Sequence, residues 1–201
     1  MEIESLISKD SALVYEEGGF LLDRIHYACG HNAMDGWVNT DFFDEKSYPD
    51  GVVPEGLLDN IYHVDLAKRH PFPDGVFKYA YSEDFIEHLM LKDAITFLFE
   101  VRRCLSSDGV FRVSTPGFHE VMSRHYYGKK FEELGREHQD AFDDWGHYNF
   151  FSHETLKSLS EAAGFSEYKV CDFGVSEHDA LNGIDTRFRQ IGLNIIAEMK
   201  V

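Results

Sequence analysis

Short apolar runs recur along the chain at about residues 24–29 (RIHYAC), 37–42 (WVNTDF), 60–65 (NIYHVD), 76–82 (VFKYAYS), 109–115 (GVFRVST), 167–174 (EYKVCDFG) and 193–200 (LNIIAEMK). Their Val, Ile, Phe and Tyr content and their Gly, Pro, Asn or Asp borders predict strands. Between the fourth and fifth runs, Ala94, Leu98, Val101 and Leu105 are spaced by four, three and four, which predicts a helix. Before the sixth run, Ser152 is suited to cap a helix carrying Leu156, Leu159 and Ala163, with Glu154 in its first turn and Gly164 to end it. Strands alternating with helices imply a doubly wound α/β domain with a mostly parallel, seven-stranded sheet. Ile25, Tyr27, Val64, Phe77, Val110 and Val113 are the expected core. Ligands of such sheets bind beyond the carboxyl ends of the strands, so the residues following each strand are the ones to inspect.

Composition narrows the function. The 201 residues suit one domain over 1–201, with 1–23 as an N-terminal extension. A formal net charge of -17 opposes phosphate backbones and anionic lipid, so neither nucleic acid nor a membrane surface is an expected partner. No apolar run is long enough for a membrane span, and the first residues, MEIESLISKD, do not read as a signal peptide. Cys29, Cys104 and Cys171 lie far apart without C-x-x-C spacing, the pattern of reduced thiols in a cytoplasmic protein.

Three segments then stand in order. The first is Ala28-Cys29-Gly30-His31-Asn32 followed by GWVNTDFF. The second is HPFPDGVFKYA running into YSEDFIEHL, and the third is VRRCLSSDGVFRVSTPGF. Together they resemble the class I S-adenosylmethionine-dependent methyltransferases, and more narrowly a small single-domain group associated with polysaccharide and glycolipid biosynthesis. The resemblance is close over residues 24–118 and looser beyond. It implies a Rossmann-like methyltransferase fold and S-adenosylmethionine as cofactor. It also implies a small-molecule or glycan acceptor, with O-methylation of a saccharide hydroxyl as the favoured reaction. Ala28, Cys29, Gly30 and His31 would form the turn against the cofactor. Asp41 would accept from the ribose hydroxyls, Asp65 and Leu66 would meet the adenine, and Ser82 and Glu83 would line the methionine end.

The turn departs from the usual glycine-rich pattern, since only Gly30 stands there. Asn32 is a candidate for a left-handed conformation in place of a glycine. The first crossover is also short, closed by Gly36 and Trp37. No G-x-G-x-x-G follows any strand, which argues against a nicotinamide dinucleotide.

A hydroxyl acceptor must lose a proton, and the candidate bases follow the fourth and fifth strands: Asp84, His88 and His119, with His119 favoured on an exposed loop. Asp84 as a helix cap and His88 as a structural histidine are the plainer alternatives. Residues 119–150 hold His119, His125, His138 and His147 with Tyr126, Tyr127, Trp145 and Tyr148, and read as a lid over the acceptor. No zinc-helix pair at i, i+4 joins His119 and His125, so no metal site is assigned; Mg²⁺ is the alternative if one exists. Two other functions fit the same residues. One is methylation of a different small-molecule or protein acceptor. The other is a non-catalytic module with a cofactor-binding fold, which the thin glycine turn would suit.

Overall fold

The structure is a computed structural model that describes residues 15–16, 19–20, 22–42 and 61–201. Most of the expected N-terminal extension therefore lies outside the described residues, as do residues 43–60. A small antiparallel pair, β1 (Tyr15–Glu16) and β2 (Gly19–Phe20), precedes the main sheet.

Every strand expected from the apolar runs is present. They are β3 (Arg24–His26), β4 (Val38–Asp41), β5 (Ile61–His63), β6 (Phe77–Glu83), β7 (Leu105–Pro116), β8 (Glu167–Val170) and β9 (Asn194–Lys200). Their order across the sheet is β5-β4-β3-β6-β7-β9-β8. Pairings from β5 to β7 are parallel, and β9 runs antiparallel to both β7 and β8. The chain winds outward from β3 to β5 and then returns to β6. The reversal of strand order therefore falls between β3 and β6, the place where such sheets open a crevice.

Helix α1 (Leu91–Cys104) buries Ala94, Phe97, Leu98, Val101 and Cys104. The expected helix ran on to Leu105, but that residue opens β7, because its backbone is already extended (ψ 142°). Helices α2 (Phe118–His125) and α3 (Phe131–His138) follow β7, and α4 (His153–Ala163) follows them. The caps of α4 are as expected: the Ser152 hydroxyl accepts from the Thr155 N–H, and Gly164 is left-handed at φ 96°. Helices α1 and α4 pack together over a core that includes Ile25, Tyr27, Val64, Phe77, Phe111 and Val113. Successive side chains of a strand point to opposite faces, so Val110 belongs to a second cluster with Trp37, Tyr81 and Leu181 on the other face. No helix among the described residues is long and apolar enough to cross a membrane.

Candidate active site

A cleft of about 400 Å³ opens at the carboxyl ends of β3, β4 and β6. One wall is the turn after β3, from Ala28 to Asn32. Ala28 (φ 52°) and Gly30 (φ 55°) take the left-handed conformation there. Asn32 does not, which corrects the expectation that it replaces a glycine. A Cβ built on Gly30 would meet nothing within 4 Å, so the turn faces open space. Asp41, the last residue of β4, supplies the opposite lip. One of its oxygens accepts from the Gly30 N–H at 2.5 Å and the other from the Phe42 N–H at 2.6 Å. Burial raises its carboxyl above the ordinary range, and these hydrogen bonds oppose the rise.

The first crossover is short because one side chain closes it. Asn39 Oδ1 accepts from the Met34 N–H at 2.8 Å, and its Nδ2 donates to the Met34 and Trp37 carbonyls. His26 sits under the cleft with its ring against Tyr81, and burial lowers its pKa to about 4.

The remaining wall comes from an arm between β8 and β9, through Ile184, Thr186 and Arg187. Glu83, at the end of β6, holds that arm. Its carboxylate accepts from the Thr186 hydroxyl, the Thr186 N–H at 3.0 Å and the Arg187 N–H at 3.2 Å. Deeper in, Arg112 anchors the same arm. Its guanidinium donates to Asp185, to Glu198 and to the Asp172 and Val175 carbonyls, and all five of its N–H donors are used. Sequence patterning does not reveal this arm, because polar residues 172–190 carry no period.

A second cavity, of about 270 Å³, adjoins the first. It is lined by Asp84, His88, His125, Trp145, His147 and Arg187, among others. Asp84 and Arg187 line both cavities, so they stand at the junction. Asp84 has a left-handed backbone (φ 50°) and does not cap the short 3₁₀ turn Ile86–His88 that follows, whose N-cap is Phe85. Its carboxylate instead accepts from Asn194 Nδ2 at 2.7 Å and pairs with Arg187 at 3.1 Å. Burial raises its pKa to about 6. Glu87, beneath the cavity, is fully buried; Thr115 donates its hydroxyl to it at 2.8 Å, and burial raises its pKa to about 8.

From the segment 119–150, Val121, His125, Trp145 and His147 line this second cavity. The Tyr148 and Asn149 N–H groups donate to the Glu87 carbonyl, and Asn149 Nδ2 donates to the Leu89 carbonyl at 2.6 Å. His88 bonds the Gly146 carbonyl through Nδ1 at 3.2 Å.

The structure thus brings Ala28, Cys29, Gly30, His31, Asp41, Glu83 and Asp84 to one cleft and adds His88 next door. Other expected residues fall elsewhere. His119 lies in the first turn of α2 rather than on a loop, exposed and outside both cavities, because the helix begins directly after Gly117. Ser82 alternates with Tyr81 and Glu83, so its side chain is buried on the far face of the sheet. Leu66 is 3% exposed and packs in the core, which corrects its expected place against an adenine ring. Asp65 does not line the cleft; it turns back on the Ala67 N–H and pairs with Lys68. The residues that sequence reasoning missed are His26, Tyr81, Glu87 and the arm residues 184–187. Of these, only the glutamate in E-H-L carried a local signal.

No protein-family model matches the chain, and no curated protein sequence matches it. Solved structures do. An S-adenosylmethionine-dependent methyltransferase from Thermotoga maritima aligns over 88% of this chain and 81% of its own, at 17% identity and a TM-score of 0.57. One from Mesorhizobium loti aligns over 98% and 95%, at 15% identity and a TM-score of 0.56. A phosphoethanolamine N-methyltransferase from Haemonchus contortus, in complex with phosphomonomethylethanolamine and S-adenosylhomocysteine, aligns over 90% of this chain at 13% identity and a TM-score of 0.56. This chain spans about half the length of that enzyme, 48%. The fold is therefore that of the class I methyltransferases.

Proposed function

We propose that the chain is an S-adenosylmethionine-dependent methyltransferase. The observation that carries this reading is the pair of adjoining cavities that share the Asp84–Arg187 wall at the switch point between β3 and β6. Transfer of a methyl group requires two ligands to meet end to end, and a shared wall is where they would meet. The open left-handed turn at Ala28 to Gly30 suits close approach of a ligand to backbone amides. The Asp41 carboxylate, lying across from it, has the acceptor character that two ribose hydroxyls need. When bound, S-adenosylmethionine supplies an electrophilic methyl on a sulfonium.

The protein's own part is to hold the acceptor in line, exclude water and take up a proton. Asp84 is the proton acceptor best placed for this, as a carboxylate at the junction. Arg187 beside it would orient the acceptor. The second cavity offers Trp145 for stacking and His88, His125 and His147 for hydrogen bonding, which favours a hydroxylated ring such as a saccharide. Calorimetric titration with S-adenosylhomocysteine, followed by a methyl-transfer screen over hydroxylated acceptors, tests the reading. Saturable one-to-one binding is expected, and no detectable binding would overturn it.

A further inference from the structure

We propose that Glu87, His88 and His147 form a binding site for a divalent transition-metal ion at the edge of the second cavity. Each residue offers a ligand atom, and the three atoms lie within 4.8 Å of one another. Two imidazoles and one carboxylate are the donor set of many sites that keep coordination positions open.

The environment of each donor supports the assignment. Glu87 is fully buried, with one oxygen held by Thr115 and the other, Oε1, without a hydrogen-bond partner. A buried carboxylate oxygen left unpaired is costly, and a cation would relieve the cost. That same oxygen lies 4.0 Å from His88 Nε2. His88 Nδ1 faces the Gly146 carbonyl, which can only accept, so Nδ1 carries the proton and Nε2 presents its lone pair toward Glu87. His147 is buried and its Nδ1 has no partner. The two imidazole rings stand 4.8 Å apart. Thr115 and the Gly146 carbonyl would then be the outer partners that orient metal ligands in such sites.

Competing cations are engaged elsewhere, since Arg187, the nearby guanidinium, pairs with Asp84. A second cluster among the described residues, His70, Glu100 and Cys104, differs on this point: Glu100 already takes both Nε and Nη2 of Arg103. For a tetrahedral ion with bonds of about 2.0–2.1 Å, ligand atoms sit roughly 3.3 Å apart, so the cluster must contract slightly. His88, on a short 3₁₀ turn and partly exposed, has the freedom to do so. Nitrogen-rich donors favour Zn²⁺ and its first-row neighbours over Mg²⁺. His88 and His147 line the cavity, so an open coordination position there would face an acceptor oxygen and lower its pKa. This last role rests on the methyltransferase reading; the site itself does not.

The test uses the full chain, stripped with a chelator and titrated with Co²⁺ and Zn²⁺. One Co²⁺ per chain is expected, with the visible absorption of a four- or five-coordinate site that Zn²⁺ abolishes by displacement. Glu87→Gln, His88→Gln and His147→Gln should each weaken binding at least about tenfold, and Thr115→Val by about 10–100-fold. His138→Gln, outside the cluster, should leave binding unchanged. If Glu87→Gln is unstable, the partly exposed His88→Gln decides the matter. Absent Co²⁺ bands, or equal binding in all these variants, would overturn the site. S-adenosylhomocysteine affinity is measured in parallel. Cofactor binding without the Co²⁺ signal would sink the metal site alone, whereas the reverse would sustain it and sink the methyltransferase reading.

Discussion

Arg112 and Asp185 are joined by two parallel hydrogen bonds, Nε to Oδ1 at 2.9 Å and Nη2 to Oδ2 at 2.5 Å, with both side chains fully buried. The pair ties the middle of β7 to the arm that walls the cleft at the carboxyl ends of β3, β4 and β6. Asp185 also accepts from the Gly174 N–H at 2.7 Å, which fixes the start of that arm. Removing one partner of such a pair leaves an uncompensated buried charge, which usually costs about 3–5 kcal/mol. Asp185→Ala should therefore lower unfolding stability by that order in urea. It should also speed hydrogen exchange across residues 171–193. Parent-like stability would mean that the arm is held by other contacts.

Asp41→Ala should weaken S-adenosylhomocysteine binding strongly. Hydrogen bonds to a charged acceptor are worth on the order of 1.5–3 kcal/mol each, so losing two would be plain in calorimetry. The Gly30 N–H would lose its partner too, loosening the turn across the cleft. If the folded variant binds as tightly as the parent, the ribose is held elsewhere.

Asp84→Asn should retain cofactor-product binding and lose turnover by about 10² to 10⁴, the usual cost of a missing general base. His119→Ala, altered on the exposed face of α2, serves as the comparison and should turn over normally. Steady-state rates with one active acceptor decide between them. A fall for His119→Ala with none for Asp84→Asn would reverse the assignment.

Stability should decline on mild acidification through His70. Burial lowers its pKa from 6.5 to about 4 in the folded protein. Between those values the unfolded chain binds a proton that the folded one refuses, so folding stability falls as pH drops from 6.5 toward 4. The slope is about 1.4 kcal/mol per pH unit for this one group. His26, lowered by burial in the same way, adds to it. Asp84 and Glu87, whose pKa values are raised, contribute the opposite sign. Comparing urea midpoints of the parent and His70→Gln between pH 7 and 5 isolates His70. The variant should show a slope shallower by about one proton, and equal slopes would refute the account.

The amino-acid sequence by itself determined the layers and most of the residues that line the cleft beyond β3, β4 and β6. Strand runs such as 76–82 and the capped helix at Ser152 are local signals: alternation, a side-chain cap and a glycine stop each act within a few residues. For the same reason the turn at Ala28 to Gly30 and the carboxylate of Asp41 could be located directly after their strands. Only the tertiary structure decided which left-handed residue shapes that turn, and that Leu66 serves the core rather than a ligand. It also decided the contacts with long separation in the chain. Thr186 reaches Glu83, Arg112 reaches Asp185, and His147 reaches His88 across folded elements. Such polar partners leave no period in the sequence, since each bond depends on where two distant backbones converge. Burial then fixes the energetics, because a carboxylate such as Glu87 acquires its unusual character only when the folded chain removes water from around it.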